Sequence, residues 1–460
     1  MSRLPERATT EDAQPPDDGR PDDGPYATNR HGLSEKVWRL QQKLYAKAKR
    51  EPKFRFYALY DRIHREDVML DAWRRVAAND GAPGVDGLSI RELRKDEEAL
   101  NGLLSGLRAD LRRKTYRPSP VKRVYIPKAN GKQRPLGIPT VRDRIAQMAA
   151  LIVLEPIFEA DFLSCSYGFR PGRKAHGAVD AVKAAVNRDR HQVLDADLKS
   201  YFDTIPHDKL MLSVERRVSD GSVLRLIRQW LRAPIVEEDG RPPQRPSGGT
   251  PQGGVLSPLL ANLYLHWLDK LFHAPSGPGQ WANARLVRYA DDFVICARYV
   301  GDRITGWLDG VMARLGLTLN REKTRVVRLG PDGQTVDFLG FTIRVAPSRF
   351  GGVFGVVTPS HDSVLRGMRK LSELTGPDRG FVPIQDMIGQ VNVFLRGWSG
   401  YFRHGYAGSA LRKMDWHAQR RLQRHLKRRS QRPHRRPEDE TWYQHLYERL
   451  GLVRLAGDRR

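Results

Sequence analysis

Arg288-Tyr289-Ala290-Asp291-Asp292-Phe293-Val294-Ile295-Cys296 sets two adjacent carboxylates inside an apolar, β-branched run. Such runs read as strands, so Leu286 to Tyr289 and Phe293 to Cys296 are expected to form the arms of a tight hairpin with Ala290-Asp291-Asp292 at the turn. Like charges buried side by side cost several kcal/mol unless a cation neutralises them. A solvated Asp-Asp turn is the commoner use of such a pair. Asp197 argues for the cation, because it too lies in an apolar, strand-like run, Val193-Leu194-Asp195-Ala196-Asp197-Leu198. Three such carboxylates suit two Mg2+ ions roughly 4 Å apart, the arrangement used in phosphoryl transfer.

Composition points the same way. With 460 residues and 40% hydrophobic content, the chain is long enough for more than one core. Its 79 Lys and Arg against 53 acids leave a formal charge of +26, so a polyanionic partner is expected, nucleic acid before an anionic membrane surface. No apolar run approaches the length of a membrane span. Two cysteines, Cys165 and Cys296, and no hydrophobic leader fit a soluble protein of a reducing cytoplasm.

The chain resembles a bacterial group II intron-encoded reverse transcriptase and maturase from about Phe54 to Arg436. The residues that carry the resemblance are Tyr289-Ala290-Asp291-Asp292, the run from Gly249 to Pro258 (Gly-Thr-Pro-Gln-Gly-Gly-Val-Leu-Ser-Pro), Asp197-Leu198-Lys199, and the Arg396-Gly397-Trp398 to Gly400-Tyr401-Phe402-Arg403 signature. The resemblance implies an α+β, right-hand polymerase: fingers and palm with an antiparallel catalytic sheet over residues 116–345, after a helical extension at 33–115. A helical thumb or maturase domain at 360–437 and a short C-terminal helix at 438–460 would follow. Residues 1–32, rich in Pro, Asp and Gly, read as a disordered tail. The function implied is RNA-directed DNA synthesis with two Mg2+ ions, coupled to binding, splicing and mobility of a group II intron RNA. Implied partners are that RNA, an RNA template with a DNA primer, deoxynucleoside triphosphates and target DNA. A domesticated enzyme of phage defence, CRISPR acquisition or DNA repair would keep the same residues, whereas a non-enzymatic splicing maturase would not need them. Nothing after Pro437 supplies the paired Cys or clustered His of an HNH nuclease, so second-strand cutting is not expected.

By resemblance, Asp197, Asp291 and Asp292 are catalytic, and the metal sits on Asp197, Leu198, Asp291 and Asp292. Asp195 alternates onto the same strand face as Asp197 and is left as a supporting or surface acid. Lys128 and Arg134, on a hairpin whose turn is Ala129-Asn130-Gly131-Lys132, would contact the triphosphate. Gln252 would touch the nascent base pair, in a Gly-rich turn that lets backbone approach a substrate. Phe202 would fill the space of a ribose 2'-hydroxyl and so favour deoxynucleotides. Lys323 would protonate or orient pyrophosphate, although a plain surface lysine reads equally. Phe338-Leu339-Gly340-Phe341 resembles a turn that grips the primer end.

Ile145, Met148, Ala149, Ile152 and Ile157 form a buried stripe. Phe394, Trp398 and Phe402 recur at four-residue spacing and predict thumb core. From Arg412 to Arg436 there are eleven Lys or Arg and one acid, Asp415. That density is a footprint for a nucleic-acid backbone. Arg420, Arg421, Arg424, Lys427, Arg428 and Arg429 are accordingly expected RNA contacts, and Arg396 and Arg403 join them by their place in the maturase signature of the resemblance. The basic face carrying Lys36, Arg39, Lys43 and Lys47 fits either solvent or RNA.

Overall fold

The computed structural model describes residues 24–127, 131, 133–237, 239, 241–331, 333–349, 351–428 and 436–457. Lys128, Lys132 and Arg429 lie outside that set, as does most of the expected tail. Ten strands are seen among the described residues: β1 (Val121–Pro127), β2 (Gln133–Ile138), β3 (Gln192–Ala196), β4 (Ile235–Val236), β5 (Arg285–Tyr289), β6 (Asp292–Ala297), β7 (Arg325–Arg328), β8 (Val336–Phe338), β9 (Phe341–Pro347) and β10 (Val353–Pro359). They fall in two compact units that are not contiguous in sequence. The described residues up to 162 together with those of 207–263 form one, and the described residues of 163–206 and from 264 onward form the other. The contiguous division expected from sequence differs because β3 must pair with β6 and β7, about a hundred residues downstream, while the helices after His207 return to the first unit.

In the first unit, β1 pairs antiparallel with β2 and parallel with the two-residue β4. The helix Val141–Glu159 is buried all round rather than along a stripe, because the helices Glu35–Arg50 and Glu66–Ala78 both pack against it. Its start is held by Asp143, which accepts from the Tyr116 hydroxyl at 2.6 Å and the Ser119 amide at 2.9 Å. Arg217, almost wholly buried, donates to the carbonyls of Ala48, Glu51, Pro52 and Phe54. Those carbonyls close the first helix and its exit, where no intrahelical donor remains. Tyr26 is buried at 3% exposure on a short turn, Gly24–Tyr26, and Trp38 donates to its carbonyl. Ordered packing therefore begins before residue 32, the expected tail boundary; that one aromatic ring anchors an otherwise polar run. On the helix Glu35–Arg50, Lys36, Arg39 and Lys43 face solvent while Val37, Leu40 and Leu44 are buried.

The second unit contains an antiparallel sheet in the order β5-β6-β3-β7 and an antiparallel meander β8-β9-β10. Val179 and Val182 of the helix Ala175–Val186 share one core with Val287, Val294, Val327, Phe341 and Ile343. A second core belongs to the helices His361–Leu374, Ile384–Phe402 and Gly408–Arg428, with Trp398 buried and Phe394 and Phe402 packed against it, as the four-residue spacing predicts. The C-terminal segment docks on that core through Leu446, Leu452 and Leu455. It forms only one π-helical turn, Gln444–Arg449, before running on without helix. Asp415, the lone acid of the basic run, accepts the amides of Leu455 and Ala456 at 2.9 and 2.8 Å. Its charge is used to hold this tail.

Candidate active site

The β5-β6 hairpin closes with a two-residue turn, since Tyr289 pairs with Asp292 across the ladder. Ala290 takes φ +58° there, a left-handed conformation that costs a side-chain-bearing residue of order 1 kcal/mol. The surroundings hold it. A Cβ on Gly168 would clash with the Ala290 backbone nitrogen, so the Tyr167-Gly168-Phe169 loop can lie against the turn only with glycine at that position. The Arg288 guanidinium donates to the Ala290 carbonyl at 2.9 Å and to both Asp269 oxygens at 2.9 and 2.6 Å. Burial would raise the Asp269 carboxyl, but the charge and hydrogen bonds of Arg288 hold it at about 2.

Asp197 follows the last residue of β3, Ala196, which pairs with Phe293 immediately after Asp292. This register brings the third carboxylate beside the hairpin turn. Asp197 is itself held by the segment after the helix Asp302–Leu315. Leu319 bridges to Leu198, the Asn320 amide donates to the Asp197 carbonyl at 2.8 Å, and Asn320 Nδ2 donates to Oδ2 at 2.9 Å. Lys323 Nζ lies 3.3 Å from the same oxygen. Asp195 sits 3.6 Å from Arg325 Nε, and its carboxyl is raised first by burial, with Arg325 opposing and Asp197 adding repulsion. The Asp292 carboxyl is reached by solvent yet pushed up to about 6, first by desolvation and then by repulsion from Asp291, Asp197 and Asp195.

Carboxylate oxygens are the donors that Mg2+ prefers, and the repulsion that lifts Asp292 is what a divalent cation relieves. In donor chemistry the three carboxylates suit such an ion. Leu198 has a buried apolar side chain and so has only its main-chain carbonyl to offer. Among the described residues, no three His, Cys, Asp or Glu converge closely enough to enclose a metal; the contacts of Asn320 and Lys323 occupy Asp197 in this conformation.

Phe202 lies in the short helix Tyr201–Thr204 on the same unit, half-buried and edge-on to Tyr201 at 5.5 Å between centroids. Arg134 and Gln252 belong to the first unit. Arg134 is exposed on β2 opposite Ile126, and the Gln252 carbonyl accepts the Gly137 amide on the same strand. The glycine after Gln252 serves that contact: Gly253 has φ +104° and a Cβ there would strike the Gly137 carbonyl. The close backbone approach expected toward a substrate is thus made, for this glycine, toward β2. Leu339 and Gly340 carry the turn Phe338–Phe341 with φ +51° and +80°. Its carbonyls accept from the Tyr401 hydroxyl, the Ser360 amide and the Ser363 hydroxyl.

The expected RNA contacts divide. Arg396, Arg424, Lys427 and Arg428 are exposed, and Arg420 lies 4.9 Å over the exposed Trp416 ring. Arg421 is half-buried and donates to the carbonyls of Ser372 and Thr375, which end the helix His361–Leu374. Arg403 donates to the Leu455 carbonyl at 2.9 Å. Those two cations carry structural hydrogen bonds, a use that charge density alone does not reveal. Sequence reasoning also missed Gly168, Trp416 and the Arg288–Asp269 pair. An arginine inside an apolar strand and an aspartate ending an apolar helix were the available signals for the pair.

A reverse transcriptase (RNA-dependent DNA polymerase) family matches residues 126–343, and a group II intron, maturase-specific domain matches residues 364–442. Protein YkfC of Escherichia coli (strain K12) is 37% identical over 352 residues, covering 68% of this chain and 89% of its own length. Group II intron-encoded protein LtrA of Lactococcus lactis subsp. cremoris is 38% identical over 216 residues, 47% of this chain and 35% of its own. An uncharacterized 91 kDa protein in the cob intron of Schizosaccharomyces pombe is 26% identical over 419 residues, 74% of this chain and 50% of its own. Among the described residues no helix is long and apolar enough to cross a membrane.

Proposed function

Since the chain belongs to the group II intron reverse transcriptase and maturase family, we propose that it copies RNA into DNA and acts on the intron RNA that encodes it. The observation that carries the reading is the register of β3 against β6, which sets Asp197 beside the Asp291-Asp292 turn. Asp197, Asp291 and Asp292, with the Leu198 carbonyl, would hold Mg2+. When bound, the metal supplies charge neutralisation for nucleotidyl transfer. The protein's own groups bind and orient. Asn320 fixes the Asp197 carboxylate, and the Lys323 ammonium, beside the same oxygen, would meet the phosphates of an incoming triphosphate. Phe202 would close the space beside the sugar, and Arg134, Lys128 and Gln252 would engage the incoming nucleotide. The exposed Arg424, Lys427 and Arg428 would contact RNA backbone; intron splicing and mobility would follow from holding that RNA and priming on target DNA.

The test is extension of a DNA primer annealed to an RNA template, with Mg2+ and deoxynucleoside triphosphates. Template-directed extension is expected. A purified, folded chain that binds the duplex but adds no nucleotide would remove the polymerase reading and leave RNA binding alone.

A further inference from the structure

Arg288 stands where the strand pattern calls for an apolar residue. Its neighbours Leu286 and Val287 are fully buried, and its own side chain has no exposed surface. Arginine is among the residues least often found wholly buried, and an apolar pair of similar volume in place of a buried ion pair is often neutral or stabilising. Stability alone is therefore a weak reason for Arg288 and Asp269. The geometry offers another. Two of the guanidinium's nitrogens face the Asp269 carboxylate, and the third, Nη1, donates to the Ala290 carbonyl. Ala290 is the left-handed residue of the turn and immediately precedes Asp291. The main chain of residue 288 is fixed as well: its amide donates to the Cys165 carbonyl and its carbonyl accepts from the Tyr167 amide, both at 2.8 Å. The fork that reaches the turn thus starts from a clamped backbone and is aimed by a buried carboxylate.

We infer that Arg288, oriented by Asp269, is a positioning residue that fixes the Ala290 carbonyl and so the direction in which Asp291 and Asp292 leave the hairpin. The inference rests on the polymerase reading above and deepens it. Without that third hydrogen bond the turn keeps its strands but its peptide plane is free to rock. A displacement of about 1 Å at the carboxylates is enough for a loss on the order of a hundredfold in rate. Burial pushes the neighbouring Tyr201 hydroxyl well up, with the Arg288 charge opposing that rise and the Asp291 charge adding to it.

Two variants test it. Arg288→Lys keeps a cation beside Asp269 but cannot serve three acceptors in one plane; Arg288→Met with Asp269→Leu removes the pair and fills its volume. Each is checked for folding by thermal melting, for template-primer affinity, for extension rate, and for Mn2+ affinity by electron paramagnetic resonance without nucleotide. In every variant that folds, kcat and Mn2+ affinity should each fall about tenfold or more, while template-primer affinity and the nucleotide KM stay unchanged. The double variant should regain thermal stability without regaining rate. Wild-type kcat and Mn2+ affinity in either folded variant would overturn the proposal, as would failure of both variants to fold, which would make the pair a determinant of the fold alone. A wild-type chain that binds Mn2+ but extends no primer ends the polymerase reading; the Mn2+ readout then still decides the role of Arg288.

Discussion

Lys323 places its ammonium 3.3 Å from Asp197 Oδ2, the oxygen that also accepts from Asn320. The lysine is mostly exposed, so the attraction is screened and the ion pair is worth little by itself. Its consequence is competitive, because a cation bound at Asp197 Oδ2 would share that oxygen with the ammonium. Lys323→Met should therefore tighten Mn2+ binding in the absence of nucleotide by about two- to fivefold, yet slow extension because no ammonium remains to meet the triphosphate. A variant with wild-type extension rate would make Lys323 a surface lysine.

Asp197→Ala and Asp291→Ala should abolish extension on an RNA template while leaving RNA affinity almost unchanged, since neither carboxylate lies on the exposed basic helix. Asp195→Asn is the control. That residue pairs with Arg325, and its loss should slow extension far less than loss of either neighbour. Near-normal rates in Asp197→Ala would end the assignment.

Phe202→Val should raise incorporation of ribonucleotides relative to deoxynucleotides, because the space vacated by the ring can take the 2'-hydroxyl. The half-buried ring and its edge-on contact with Tyr201 fix its position at the start of a four-residue helix. The measurement is the ratio of the two incorporation rates; an unchanged ratio in both Phe202→Val and Phe202→Ala would place discrimination elsewhere.

Much of this site was legible because its chemistry contradicts its local pattern. Carboxylates at Asp197, Asp291 and Asp292 interrupt runs that otherwise read as buried strand, and the apolar, β-branched runs on either side of Asp291-Asp292 predict the hairpin arms seen at β5 and β6. Long-range decisions were not legible. Nothing local says that β3 will lie between β6 and β7, or that the helices after His207 return to the first unit. A glycine's sequence context likewise shows that backbone will come close without naming the neighbour: Gly253 meets β2 and Gly168 meets the turn at Ala290. Charge is read as surface by default, and that default hid Arg217, Arg288, Arg403 and Arg421, whose guanidinium groups are committed to main-chain carbonyls.

Glu155 is buried in the helix Val141–Glu159 beside the Tyr26 hydroxyl, and burial pushes its carboxyl up to about 7 despite the opposing charge of Arg75. An unfolded glutamate titrates near 4.3. Between those values the folded state binds more protons, so this group's contribution to stability falls as pH rises from about 4 to about 7. Glu155→Gln cannot ionise and should melt higher than wild type at pH 8, by on the order of a few kcal/mol in stability, with little advantage at pH 4. An equal difference at both pH values would show that the carboxyl titrates alike in the folded and unfolded chain.

The basic helix Gly408–Arg428 separates binding from chemistry, provided the cations that build the thumb are left alone. Arg421 caps the carbonyls at the end of the helix His361–Leu374, and its loss would leave them without that donor. Arg420, Arg424, Lys427 and Arg428 are exposed, with Arg420 over Trp416 and Lys427 5.7 Å from the Trp442 ring. Contacts to phosphates release counterions, so each lost contact should flatten the log-log salt dependence of binding by somewhat under one unit. Replacing these four with Gln should weaken intron RNA binding, most visibly at moderate salt, and leave the melting temperature close to wild type. Trp416→Ala should weaken binding with little change in salt slope, because stacking on a base releases no counterion. Extension of a short, pre-annealed primer at saturating concentration should survive in both, since Asp197, Asp291 and Asp292 are untouched. Wild-type affinity and salt slope in the fourfold variant would leave this face to solvent and shift the expected RNA contact to Lys36, Arg39 and Lys43, which are exposed on the first helix.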